Sequence, residues 1–330
     1  MNILIASHSA CHQRQLFFYQ ELAKHFYNTI VIGPKQWGRL GLLNSTQEGF
    51  ITRGLPVANE NRLATFQFLG LESTLQLQLI PKIDLFLIQE EWWSRATTSL
   101  LATANRIGAK KVLFTWENIR IPNEKEIETI NQADAIICGN NDAEQIIKDS
   151  GYRGFIYQIP QVGIDTDLFF PQSTEKSYDL VFCGRPVSEK GIDIIQRATK
   201  NHNWKLLIIA NQPYRDLPAQ LSQAKIFVTL PQDTSYWKEQ SGGYSSLEAL
   251  SCGIPVITTD CGAIPQYIPR RIATILKQDK DLEQYFITAV KKLLIAGKLD
   301  AIGARGRDYV IEHYSNQVIA KQTAEALEEL

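Results

Sequence analysis

The chain alternates short apolar runs with longer stretches of helical period. The runs that read as strands in the first half are Asn2–Ala6, Thr29–Ile32, Asp84–Ile88, Lys111–Thr115, Ala135–Cys138 and Phe155–Ile159. Amphipathic stretches at Leu16–Phe26, Thr65–Leu79, Ser94–Ile107 and Asp142–Ser150 lie between several of them. Continuous apolar strands separated by helices predict a parallel sheet covered on both faces. Residues 33–64 read as irregular, punctuated by Gly33-Pro34, Gly38, Gly41, Gly49, Gly54 and Pro56. After Pro160 the alternation pauses across Gly163–Pro171. It resumes with strands expected at Asp179–Cys183, Lys205–Ile209, Lys225–Leu230, Pro255–Thr259 and Arg271–Leu276. The expected fold class is therefore α/β, with Rossmann-like domains over residues 1–165 and 166–330 joined by a Pro-bounded hinge. From Leu282 to Leu330 the pattern is helical, with Gly297 and Gly303 read as breaks. The last helix either caps the second domain or crosses back to the first.

Composition narrows the function classes. A length of 330 residues suits about two domains, and 44% hydrophobic with 21% charged residues is an ordinary globular balance. Lys and Arg number 34 against 35 Asp and Glu, a net charge of −1, which lacks the basic footprint of a nucleic-acid binder. The five cysteines are scattered with no CxxC pair, so neither a disulfide framework nor a zinc site is indicated. The N-terminal residues have no basic leader, and no apolar run approaches the roughly 18–20 residues of a membrane span. The expected location is the cytoplasm, with peripheral association at the inner membrane face left open.

Three segments carry chemistry. The first runs from Asp179 to Asp193: a buried strand ends at Gly184, and Arg185 and Lys190 flank the turn into a helix. Ligands of doubly wound sheets bind beyond the carboxyl ends of strands. There Arg185 can neutralise a diphosphate through its planar fork and Lys190 as a point charge. A solvated turn with surface charges is the plainer reading of the same residues. The second segment runs from Gln240 to Ile257. Gly242-Gly243 precede a short helix beginning near Tyr244 and Ser245, whose first amides make a seat for phosphate. Glu248, about one turn in, can accept hydrogen bonds from two ribose hydroxyls or can simply complement the helix dipole. The third, Gly163–Pro171, contains Asp165-x-Asp167, read as turn and cap chemistry rather than as a metal-binding pair.

In order and spacing these segments resemble the family 4 glycosyltransferases (group 1 type) of GT-B fold, from Asn2 to about Asn316 and most specifically over Gly163–Pro171, Gly184–Asp193 and Gly243–Gln266. The resemblance implies two Rossmann-like domains facing across a cleft, an acceptor-binding N-terminal domain, and a C-terminal domain for a UDP-, GDP- or ADP-sugar. It implies retaining transfer to a glycan or lipid-linked acceptor, of the cell-envelope or exopolysaccharide type, with no metal and no cofactor beyond the nucleotide-sugar. By it, Arg185 and Lys190 hold the diphosphate, Glu248 the ribose, and amides around Gly243, Tyr244 and Ser245 complete the phosphate cradle below Gly184.

The sequence also departs from the family. Members carry Glu-x7-Glu across the second segment, whereas the residue eight before Glu248 is Gln240, with Glu239 one place too early. Either Gln240 replaces the first carboxylate, or Gly242 is an insertion and Glu239 reaches the site. The loop after the first strand reads Ser7-His8-Ser9-Ala10-Cys11-His12 in place of paired glycines, and Ala210-Asn211-Gln212-Pro213 replaces a glycine-rich turn. His8 and His12 either face the site or belong to a plain polar loop. Glu117 stands where many members have a histidine. Its Trp116-Glu117-Asn118-Ile119 stretch, with Gln89-Glu90-Glu91-Trp92-Trp93 upstream, resembles a bacterial subgroup. Glu91 and Glu117 are thus candidates to orient or deprotonate an acceptor hydroxyl, or are capping and surface carboxylates, or a glycosidase pair. Trp92, Trp93 and Trp116 stack on a sugar or belong to the core. Two other functions fit the same pattern: a nucleotide-sugar epimerase, and a non-catalytic nucleotide-sugar-binding subunit.

Overall fold

In the computed structural model, which describes residues 1–47, 49–77 and 82–330, the chain divides into two compact units. One comprises Met1–Gly163 with Ile319–Leu330, the other Ile164–Val318.

The strands of the first unit are β1 (Asn2–Ala6), β2 (Asn28–Pro34), β3 (Ser45–Gln47), β4 (Phe50–Leu55), β5 (Val57–Ala58), β6 (Gln67–Phe68), β7 (Leu85–Ile88), β8 (Lys110–Thr115), β9 (Ala135–Cys138) and β10 (Phe155–Gln158). All but β5 and β6 form an eight-stranded sheet in the order β10-β9-β8-β7-β1-β2-β4-β3. Its pairings are parallel except β3 against β4. Every residue of β1, β7 and β9 is buried, as strands covered on both faces require. Helices α1 (Gln13–Ala23), α2 (Leu71–Leu77), α3 (Arg95–Ile107), α4 (Glu124–Ile130) and α5 (Asn141–Asp149) accompany it. Leu100, Leu101 and Ala104 of α3 join Phe86, Ile88 and Leu113 in one core. Ser94 caps α3 by accepting from the Ala96 amide, and Gly108 ends it in the left-handed region.

The second unit contains β11 (Tyr178–Cys183), β12 (Leu206–Ile209), β13 (Ala224–Val228), β14 (Val256–Thr259) and β15 (Thr274–Leu276), with α6 (Ile192–Asn201), α7 (Leu217–Leu221), α8 (Tyr244–Ser251), α9 (Ile264–Tyr267), α10 (Leu282–Ile295) and α11 (Leu299–Tyr314). The five-stranded sheet is parallel throughout, in the order β12-β11-β13-β14-β15. Phe182, Ile195, Val228, Phe286 and Val290 anchor its core. Helix α12 (Asn316–Glu328) starts in this unit and continues into the first, where Tyr157 donates a hydrogen bond to Glu329. All five cysteines are buried free thiols. Among the described residues no helix is long and apolar enough to cross a membrane.

Several expected elements differ. Residues 33–64 are not irregular: β4 lies parallel to β2 and β3 returns against it, so the sheet is wider than the apolar runs suggest. Glycines flank and interrupt β4, and at Gly54 a side chain would overlap the Leu42 carbonyl, so the glycine permits close chain approach rather than breaking the strand. The stretch Thr65–Leu79 is helical only over Leu71–Leu77; Gln67–Phe68 is a strand, and the end of the stretch beyond Leu77 lies outside the described residues. Gly297 does separate α10 from α11. Gly303 does not break a helix but lies within α11, where a Cβ would overlap the Gly253 carbonyl oxygen. Close packing of α11 on the end of α8 therefore outweighs the low helix propensity of glycine. Helix α1 begins earlier and ends earlier than Leu16–Phe26, and the last strand shortens to Thr274–Leu276.

Candidate functional site

The strand order of the second unit reverses direction between β11 and β13, both neighbours of each other with connections running to opposite sides. Such a switch point opens a crevice beyond the carboxyl ends of the strands. Gly184 is the first residue past β11, at φ 145°, where a side chain is strained. Arg185 follows, exposed, with no side-chain partner among the described residues. Lys190 ends the short turn Ser188–Lys190, and its carbonyl accepts from the Leu230 amide beyond β13 (3.1 Å), which ties the two switch-point loops together.

The Lys190 ammonium is engaged. It pairs with the Glu239 carboxylate and lies 4.8 Å from the Trp237 ring centroid. Glu239 is buried, and its other oxygen accepts from Ser241 Oγ (3.0 Å). Its backbone is clasped by the segment after β14, through Ala263 N–H to Glu239 O (2.8 Å). Gln240, the expected catalytic amide, is exposed. Of the two residues left open by the sequence, Glu239 is the one carried onto the predicted diphosphate lysine.

Gly243 is the N-cap of α8 at φ 70° and has no side chain to cap it, while its own amide donates to Ser241 Oγ (3.2 Å). Tyr244 and Ser245 form its half-buried first turn, at the positive end of the helix dipole. Glu248, the fifth residue of α8, is 1% exposed and accepts a 2.9 Å hydrogen bond from the Tyr214 hydroxyl. The Tyr214 ring leans on Phe169 with centroids 5.1 Å apart. Sequence reasoning missed Tyr214; it follows the turn whose glycines are absent, and Asn211 takes the left-handed conformation there at φ 56°. Asp165 behaves as a cap: its Oδ1 accepts from the amides of Asp167 (3.1 Å) and Leu168 (3.0 Å).

In the first unit the sheet changes direction between β1 and β7, and the residues beyond those strands also cluster. Glu91 Oε2 accepts from Thr115 Oγ1 (2.6 Å) and Oε1 from the Trp116 amide (2.8 Å). Burial pushes the Glu91 carboxyl up to about 7; the two hydrogen bonds oppose the rise, and the charges of Glu117 and Glu90 add to it. Glu117 Oε2 accepts from Trp93 Nε1 (3.1 Å), and Oε1 from the amides of Ile119 (3.1 Å) and Arg120 (3.0 Å). Both expected acid–base residues thus brace the turns after β7 and β8. Trp92 is core, 3% exposed, while Trp116 fits against Gly139. Glu90, which the sequence did not single out, is buried and holds His8: it accepts from the His8 amide and lies 2.8 Å from Nδ1.

The two units together make a GT-B fold, two Rossmann-like domains in one chain. Residues 170–308, within the second unit, match the family model described as Glycosyl transferases group 1. No curated protein matches the chain. Among solved structures the chain is similar to sucrose-phosphate synthase from Thermosynechococcus elongatus, at TM-score 0.75 and 14% identity over 100% of this chain and 98% of that one. It is similar to a glycosyltransferase from Rickettsia africae, at TM-score 0.72 and 14% identity over 99% and 98%. It is also similar to HepE from Anabaena in complex with UDP-glucose, at TM-score 0.71 and 13% identity over 100% of both chains. Identities this low speak for a shared fold.

Proposed function

We propose that the protein is a retaining, metal-independent glycosyltransferase that moves a sugar from a UDP-, GDP- or ADP-sugar to a glycan or lipid-linked acceptor in cell-envelope or exopolysaccharide synthesis. The observation that carries this reading is the grouping at the β11–β13 switch point: Arg185, the Lys190–Glu239 pair and, on α8, the first turn after Gly243 and buried Glu248. Breaking the anomeric C–O bond leaves an electron pair on the nucleotide diphosphate. Fixed cations and helix amides aimed at that oxygen lower the barrier as its charge grows. In this reading Arg185, Lys190 and the amides of Tyr244 and Ser245 supply that positive potential in place of a divalent cation. Glu248 takes the ribose diol. Glu239, rather than Gln240, meets the donor sugar, because it is already beside the lysine that would hold the diphosphate. The first unit takes the acceptor, with Glu91 and Glu117 shaping its loops.

UDP-glucose, the ligand named for HepE, is the first donor to try. Nucleotide release from a panel of UDP-, GDP- and ADP-sugars with glycan and lipid acceptors tests the activity. Addition of EDTA should leave the rate unchanged, and NMR of the product should give the donor's anomeric configuration. A wild-type protein that binds none of these nucleotides defeats the reading.

A further inference from the structure

His8 is the second residue beyond β1, and Glu90 the second beyond β7, so both lie at the switch point of the first sheet. The histidine opens the short 3-10 helix His8–Cys11 and is held by both its backbone and its ring. Its amide donates to Glu90 Oε1, and its Nδ1 lies 3.0 and 2.8 Å from the two carboxylate oxygens. Glu90 is 3% exposed, while the His8 side chain is 26% exposed. Its ring packs against Trp37 at 5.2 Å and Phe66 at 5.9 Å between centroids. Among the described residues Nε2 has no hydrogen-bond partner. A buried carboxylate on Nδ1 fixes the tautomer: the neutral ring carries its proton on Nδ1 and presents the Nε2 lone pair outward. A polar edge of fixed orientation, walled by aromatic rings at a switch point, is built to receive a hydroxyl rather than to fill a loop.

We infer that His8 binds and orients the acceptor hydroxyl through Nε2, with Glu90 as its positioning residue. This rests on the reading of the protein as a glycosyltransferase with its acceptor on the first unit. In the reaction the hydroxyl donates its hydrogen bond to Nε2, which leaves an oxygen lone pair free to attack the anomeric carbon. The new C–O bond forms as the bond to the diphosphate breaks with its electron pair on the diphosphate oxygen. As the bond forms, the hydroxyl proton passes along its hydrogen bond to Nε2 and is then lost to solvent or to the released diphosphate, so His8 is neutral again after each turnover. A protonated His8 cannot accept the hydroxyl. The charged and titratable groups around it are Glu90 and Glu91, which favour the imidazolium, and His12, which couples to it.

The test uses the full chain, the best-bound donor, and octyl β-glycosides of glucose, galactose, mannose and N-acetylglucosamine as acceptors. His8→Ala should raise the acceptor KM at least tenfold while the Kd for the matching nucleoside diphosphate changes less than twofold. His8→Gln, whose amide oxygen can accept the same hydrogen bond, should recover part of the loss. Acceptor kcat/KM should fall on the acid side in the wild type, and Glu90→Gln should move that limb to lower pH. An unchanged acceptor KM in His8→Ala, or an equal loss in His8→Ala and His8→Gln with an unmoved acid limb in Glu90→Gln, overturns the inference. Nucleotide binding without transfer to any glycoside also overturns it, while leaving the donor reading in place. Failure to bind any nucleotide removes the donor reading itself and this inference with it.

Discussion

Substituting Glu91 by Gln isolates the cost of one buried carboxylate. The group titrates near 4.5 when freely solvated, and burial takes it to about 7 in the folded protein. Each tenfold change in proton affinity is worth about 1.4 kcal/mol. The full displacement therefore corresponds to about 3 kcal/mol lost above pH ~7, an upper figure because local relaxation and water entry reduce it. The sign follows from proton counting. Between pH ~4.5 and ~7 the folded chain keeps a proton that the unfolded chain has released, so stability declines as pH rises through that window. Glutamine keeps the shape and both contacts, since its oxygen can accept from the Trp116 amide and its nitrogen can donate to Thr115 Oγ1. Glu91→Gln should match the wild type near pH 5 and exceed it by about 1–3 kcal/mol near pH 8. Four of the six tryptophans, Trp37, Trp92, Trp93 and Trp116, lie in the first unit, so urea unfolding followed by tryptophan fluorescence reports mainly on the unit concerned. A stability difference that stays constant from pH 5 to 8 would refute the burial account. So would a variant less stable than the wild type throughout.

Lys190→Ala should weaken nucleoside diphosphate binding about 10- to 100-fold by calorimetry, since it removes a charge-assisted contact and leaves the buried Glu239 carboxylate without its lysine. Arg185→Ala should cost less, because the arginine is exposed; unchanged binding in both variants would sink the phosphate assignment. Gly303→Ala should destabilise the second unit by about 1–3 kcal/mol, despite a helix-propensity gain of roughly 1 kcal/mol, because the added methyl meets backbone at Gly253. Gly306→Ala, which meets only the end of the Leu250 side chain, should be milder, and the ranking is read from thermal melts. Burial lowers the His8 pKa, yet the charge and hydrogen bond of Glu90 outweigh it and leave the pKa above 6.5. The pair therefore stabilises the fold fully below about pH 6.5, and this stabilisation is lost as pH rises through the higher folded value. Glu90→Gln should lower the pKa in an NMR titration of the His8 ring, and an unmoved titration would count against the pair.

What was legible depended on whether a property was local. The buried strands announced themselves as apolar runs because both faces of a parallel sheet are covered, and the cap at Asp165 and the turn after Gly184 followed from residue chemistry within a few positions. Strand β4 did not, because Gly49 and Gly54 read as punctuation. The glycine at 54 is there to admit the Leu42 carbonyl, a partner twelve residues away. Gly303 misled for the same reason, its partner Gly253 being fifty residues away. At the candidate site of the second unit, strand–turn–helix order predicted where Lys190 and Glu248 would lie, whereas the pairing of Glu239, and not of Gln240, with Lys190 could not be read from it. Adjacent residues of a loop point differently, and spacing alone carries no orientation. The His8–Glu90 pair is the clearest case. Each residue sits in plain view just past an apolar run, but β1 and β7 are neighbours only because the chain places five other strands elsewhere between them in sequence. Position after a strand gives the end of the sheet; strand order alone tells which ends meet, and the chemistry of a switch point resides in that meeting.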